Sequence, residues 1–172
     1  MKNLLNIGIS LLILIVSPVI VYGEIACDPK VLYQADEKFF VSLPGYQTTQ
    51  IKETNLNFFG KIHNKERTYK NASAKVRVRI FWGENLIPNW QGFTLNLLEI
   101  SKNELKDGEI DGIKVKFYEN GEKKVIVVPI LEETSRGFLI LFSSKDLSLE
   151  ALKNFVSQFP IKTLCSIPEL SK

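Results

Sequence analysis

Residues 137–159 read GFLILFSSKDLSLEALKNFVSQF. The first part, Phe138 to Phe142, is apolar at every position. An alternating strand wets one face, so an unbroken apolar one predicts burial from both sides. The second part changes period. Ser148 suits a helix N-cap, Leu147 and Leu152 occupy the staple positions around it, and Glu150 falls in the first turn. Leu152, Phe155, Val156 and Phe159 then follow i, i+3, i+4, i+7 spacing, and Pro160 stops the run. A doubly buried strand running directly into an amphipathic helix predicts a sheet with a helix packed upon it.

Upstream, Ile113–Tyr118 and Lys123–Val128 frame Asn120-Gly121. That dipeptide predicts a hairpin with the positive φ angles of a type I′ turn. Ile113, Val115 and Phe117 alternate with Lys114, Lys116 and Tyr118, whereas Val125–Val128 is apolar on both faces. Further upstream, Ala74–Trp82 is the cleanest strand of the chain. Ala74, Val76, Val78, Ile80 and Trp82 fall on one face, Lys75, Arg77 and Arg79 on the other. Lys38–Leu43, halted by Pro44-Gly45, and Leu56–His63 are shorter strand expectations. Gly83–Gly92 reads as a loop, and Leu95–Leu105 fits strand and helix equally. With no repeat and no Pro/Gly/Ser linker, the expectation is one α+β domain: an antiparallel sheet with packed helices.

The start of the chain reads differently. Lys2, the apolar run Ile7–Tyr22 and the small Gly23 resemble an export signal, with Val21 and Gly23 at −3 and −1. Residues 1–23 are thus expected to leave and 24–172 to form the exported domain, periplasmic or secreted. Retention of residues 4–22 as an anchor is the rival, since that run nearly spans a bilayer. Lipidation of Cys27 is disfavoured by Glu24 three positions before it. Cys27 and Cys165 are the two cysteines of the chain, and an oxidising compartment predicts a Cys27–Cys165 disulfide.

Net charge is only +3 in 172 residues, too small a basic excess for a nucleic-acid partner. A membrane role would require a retained leader or a lipid on Cys27. His63 is the single histidine, so a Ser–His–Asp hydrolase would have to use it, but no nucleophile elbow surrounds any serine. No zinc spacing exists, and Glu104, Asp107, Glu109 and Asp111 lack the calcium-loop pattern. No cofactor motif is present. The surface expectations are two. Lys75, Arg77 and Arg79 make a basic stripe, with about 7 Å between alternate residues, suited to anionic lipid heads or an acidic partner. Trp90 sits in the expected loop with Phe93 just beyond it. A loop folded back over the core explains Trp90, and the alternative is an interaction anchor, since loop aromatics are good anchors. Asn71-Ala72-Ser73 fits the glycosylation sequon.

Three segments resemble PsbP-like domains. Residues 33–46, YQADEKFFVSLPGY, look like that family's opening strand; residues 111–121, DGIKVKFYENG, are similar to its hairpin entry; residues 137–159 resemble its closing strand and helix. The resemblance implies an α/β/α sandwich, usually exported and non-enzymatic, acting through surface contacts, and it carries over no catalytic residue. The resulting expectation is a non-enzymatic binding or assembly-accessory protein of the cell envelope with an envelope protein as partner. The alternatives are a small extracytoplasmic hydrolase using His63 and a membrane-tethered accessory subunit.

Overall fold

The structure, a computed structural model, describes residues 39–57, 61–83, 86, 89–132 and 136–162. The expected leader and both cysteines, Cys27 and Cys165, lie outside these residues. The described elements run β1 (Gln47–Thr48), β2 (Lys52–Leu56), β3 (Ile62–Lys70), β4 (Lys75–Trp82), α1 (Trp90–Leu98), a 3₁₀ turn (Lys102–Glu104), β5 (Lys106–Ile110), β6 (Ile113–Glu119), β7 (Lys124–Glu132), β8 (Arg136–Ser144) and α2 (Leu149–Val156). The eight strands form one sheet in the order β1-β3-β4-β8-β7-β6-β5, with β2 also paired to β3. Each pairing is antiparallel. The class is α+β, as the periodicities imply.

β7 and β8 lie centrally, which is why both are apolar at successive positions. Ile126, Val128, Ile130, Phe138, Ile140 and Phe142 enter one core; Val125, Val127, Leu139 and Leu141 enter the other. α2 closes the first core with Leu152, Phe155 and Val156. Its cap forms as expected, Ser148 Oγ accepting from Ala151 N–H. Regular helix stops at Val156, and a turn held by Phe159 N–H to Val156 O still brings Phe159 into the core. The rings of Phe142, Phe155 and Phe159 meet with centroids 5.0 to 6.5 Å apart, and Tyr69 joins at 5.4 and 5.5 Å. All but the tilted Phe155–Phe159 pair are edge-on, and such pairs add roughly 0.5–1.5 kcal/mol each beyond burial.

The other core lies under α1, which packs Phe93, Leu98, Trp90 and Leu97 against Ile62, Phe81 and Tyr118. Here the structure corrects the expectation of a loop reaching Gly92. Trp90, Phe93, Thr94, Leu97 and Leu98 follow i, i+3, i+4, i+7, i+8, a helical stripe that outweighs Gly92. The helix closes at Glu99, in the left-handed region at φ 57°.

Three further expectations change. Residues 39–43 are not a strand. Phe39 and Phe40 are adjacent and both fully buried, which a strand cannot arrange against one core. Side chains hold this backbone instead: Arg67 Nη1 donates to Phe40 O at 2.7 Å, and the Tyr69 hydroxyl donates to Val41 O at 3.0 Å. The strand expected over 56–63 is two strands, β2 ending and β3 starting at the pair Leu56↔Ile62. The type I′ turn is displaced as well. Neither Asn120 nor Gly121 has positive φ. Asn120 and Lys123 exchange backbone hydrogen bonds across Gly121-Glu122, and Asn120 Oδ1 accepts from the N–H groups of Glu122 and Lys123. The turn with two positive φ angles is Asp111-Gly112, at 51° and 78°, joining β5 to β6.

Candidate functional site

β4 carries the site. Its residues on the α1 side grade from water to core: Lys75 and Arg77 are exposed, Arg79 is half-buried, and Phe81 is buried. α1 covers only the Phe81 end of this face. Toward Lys75 the sheet lies open, and register fills the gap with other segments. Ser143 of β8 pairs with Arg77, and Val125 of β7 pairs with Ser143. Lys123, just before β7, and Lys145, just after β8, therefore arrive beside the β4 cations. The result is a groove of ≈ 500 Å³ lined by Lys75, Arg77, Lys123 and Lys145, with Ser143 and Asp146.

Local hydrogen bonds fix its walls. Asp146 Oδ2 accepts from Lys75 N–H at 2.8 Å, so this carboxylate serves the backbone. Ser144 Oγ donates to Lys75 O and accepts from the N–H groups of Asp146 and Leu147, tying the β8 exit to the β4 entry. On the opposite side, the Asn120 turn sets Lys123. Arg79 follows Arg77 along the same face of β4, with its guanidinium 5.3 Å from the Phe81 ring centroid.

The cations are close enough to disturb one another. Burial, then the charges of Arg79 and Arg77, pull the Lys123 ammonium below lysine's ordinary range; Glu99 opposes this and Lys145 adds to it. Burial likewise lowers Arg79, opposed by Glu66 and assisted by Arg77. Arg77 has a carboxylate neighbour, Glu66, at 3.4 Å. Among the described residues, Lys75, Lys123 and Lys145 have no ion-pair partner.

The basic stripe of Lys75, Arg77 and Arg79 thus stands in one place, enlarged by Lys123 and Lys145. Sequence reading misses these two because only the β4–β8–β7 register brings them in. The aromatic pair does not form a surface. Phe93 is buried against Phe81, with ring centroids 5.1 Å apart, and Trp90 packs half-buried at the edge of the same core. His63 lies in β3 opposite Trp82 and stacks on its ring at 5.4 Å, a packing position. The acidic residues take separate tasks. Glu104 caps the 3₁₀ turn through Ser101 N–H, and Asp107 pairs with Lys116. Among the described residues, no group of three or more His, Cys, Asp or Glu is placed to hold a metal ion. Asn71 of the sequon accepts from the N–H groups of Ser73 and Ala74, forming the β3–β4 turn. No described helix is long and apolar enough to cross a membrane.

No protein-family model matches the chain, and no curated protein matches it. Among solved structures, a GTP binding regulator from Thermotoga maritima is similar at 14% identity and a TM-score of 0.49, covering 76% of this chain and 88% of that one.

Proposed function

We propose that the protein is an exported, non-enzymatic binding or assembly-accessory protein of the cell envelope, of PsbP-like type, that holds an anionic component in the Lys75–Arg77–Lys123–Lys145 groove. The observation that carries this reading is the convergence of four cationic side chains from three separate segments in one concavity. A wet sheet face alone does not require cations from three segments to meet in one concavity. The leader pattern of residues 1–23 supports the compartment.

The test is capture from the native envelope with wild-type protein and with a Lys75→Glu, Arg77→Glu variant, followed by mass spectrometry. Wild type should retain envelope components that ~0.5 M salt releases, since screening is then strong. The variant should lose them. The reading fails if both proteins retain the same components, or if the native protein is found in the cytoplasm with residues 1–23 attached.

A further inference from the structure

We propose that the groove is a binding site for a compact, multiply charged phosphoryl group, seated between Lys75, Arg77, Lys123 and Lys145, with Arg79 next along β4. This rests on the groove being the contact site and adds the chemistry of its occupant.

The concave shape favours an occupant that enters it over a flat partner. The cations line a concavity of ≈ 500 Å³ between the β4 entry, the Asn120 turn and the β8 exit. A bilayer surface would touch its rim, whereas a protruding headgroup or a small free anion can enter. An acidic peptide spaces its carboxylates along an extended chain. A phosphoryl group instead places several oxygens and close to two charges within one small volume, which matches ammonium and guanidinium donors converging from several sides.

The groove also carries charge that its one carboxylate does not balance, and a buried donor lies near it. Arg77, Arg79 and Lys145 each oppose protonation of Lys123. Arg79 Nε is buried and has no hydrogen-bond partner among the described residues. A buried donor left unmade is costly and uncommon. The Phe81 ring and the flanking strands hold this guanidinium where it is. Its fixed charge, felt at Lys123, then favours an anion nearby without the entropy loss of ordering a free side chain. Asp146 brings one carboxylate to the lining, its Oδ2 accepting from Lys75 N–H, against the four cations.

A free phosphorylated compound and a phospholipid headgroup offer the same chemistry, so the experiment has arms for each. Purified full-length protein is titrated with inorganic tripolyphosphate, with phosphatidylcholine vesicles containing phosphatidylglycerol, and with poly-glutamate. Each is repeated for an Arg77→Gln, Lys123→Gln variant and for Lys153→Gln, which lies on α2 outside the groove. The expected result is salt-sensitive tripolyphosphate binding, weakened about tenfold or more by the double variant and unchanged by Lys153→Gln. Vesicle binding that tripolyphosphate competes away identifies a headgroup as the source; tripolyphosphate binding without vesicle binding identifies a free compound. Both support the proposal. Binding of poly-glutamate alone overturns it while leaving the groove as an anionic contact. Tripolyphosphate binding that survives the double variant, or no binding of any probe, overturns it as well, and envelope capture then decides the broader reading separately. The melting temperature of the double variant confirms that the fold persists.

Discussion

The two faces of the sheet are built from the same strands and end differently. On the α2 face, Val76, Val78, Ile80 and Trp82 of β4 are all buried, and the core continues through Phe142, Phe155 and Phe159 to Phe39 and Phe40. On the α1 face, the same strand passes from Lys75 to Phe81 and becomes buried only at its end. One face is covered along its length by a helix, a turn and the 39–43 segment. The other is covered by a nine-residue helix that stops short. Surface available for binding therefore lies where the second layer ends.

The sharpest way to break this comparison is to truncate one large side chain on each face. Phe155 is 2% exposed and meets Tyr46, Tyr69, Phe142 and Phe159. Phe155→Ala should cost about 3–5 kcal/mol, the range for a fully buried aromatic. Trp90 is half-buried at the rim of the α1 core, so Trp90→Ala should cost about 2 kcal/mol. Denaturant midpoints at constant slope measure both. Equal losses would show that the α1 face is as deeply built as the α2 face. No loss for Trp90→Ala would restore it as a free anchor.

Tyr69 sharpens the same contrast through pH. Burial pushes its phenol from 10.0 up to about 12, against the charge and hydrogen bond of Arg67, which pull it down. Between these two values the folded state holds a proton that the unfolded state has released, so stability falls as pH rises. The contribution is whole below pH 10 and is lost as pH climbs through about 12, amounting to roughly 2–3 kcal/mol. Tyr69→Phe should remove that slope, and cost about 1 kcal/mol at neutral pH for the hydrogen bond to Val41 O. The difference between wild type and variant isolates the group from lysines that titrate nearby. Parallel curves from pH 9 to about 12 would show that Tyr69 is not sealed in the core.

What was legible in the sequence follows from how local each signal is. The double burial of Phe138–Phe142 and the Ser148 cap are local, and both stand in the structure. The alternation of β4 predicts its basic stripe, and Lys75 and Arg77 are indeed exposed. Punctuation residues misled. Gly83 and Gly92 suggest a loop through Trp90, although Trp90, Phe93 and Leu97 carry helical spacing. Asn120-Gly121 resembled a type I′ turn, but the Asn120 side chain closes a turn without positive φ, and Asp111-Gly112 supplies the mirror-image one. Phe39-Phe40 looked like a strand because Arg67 and Tyr69, which hold that backbone, are remote in sequence. The groove was half legible for a similar reason. Lys123 and Lys145 join Arg77 through strand register, which no local pattern encodes.

The smallest expected effect lies on the open half of the α1 face. Arg77→Gln removes the 3.4 Å pair with Glu66, an exposed interaction worth at most about 1 kcal/mol. It also removes one of the charges that pull Lys123 below its ordinary range. A lysine whose folded pKa is depressed burdens the folded state while protonated, and that burden is relieved as pH rises through the folded value toward 10.5. Losing Arg77 therefore relieves part of the burden at neutral pH, opposite in sign to the lost Glu66 pair. The two changes should nearly cancel, leaving stability within about 0.5 kcal/mol of wild type. The Lys123 ammonium should meanwhile titrate at higher pH, read from its side-chain NMR signals. A loss beyond about 1 kcal/mol would mean that Arg77 helps hold the sheet together. An unmoved Lys123 would mean that the groove cations act separately, which removes the electrostatic reason for expecting an anion between them.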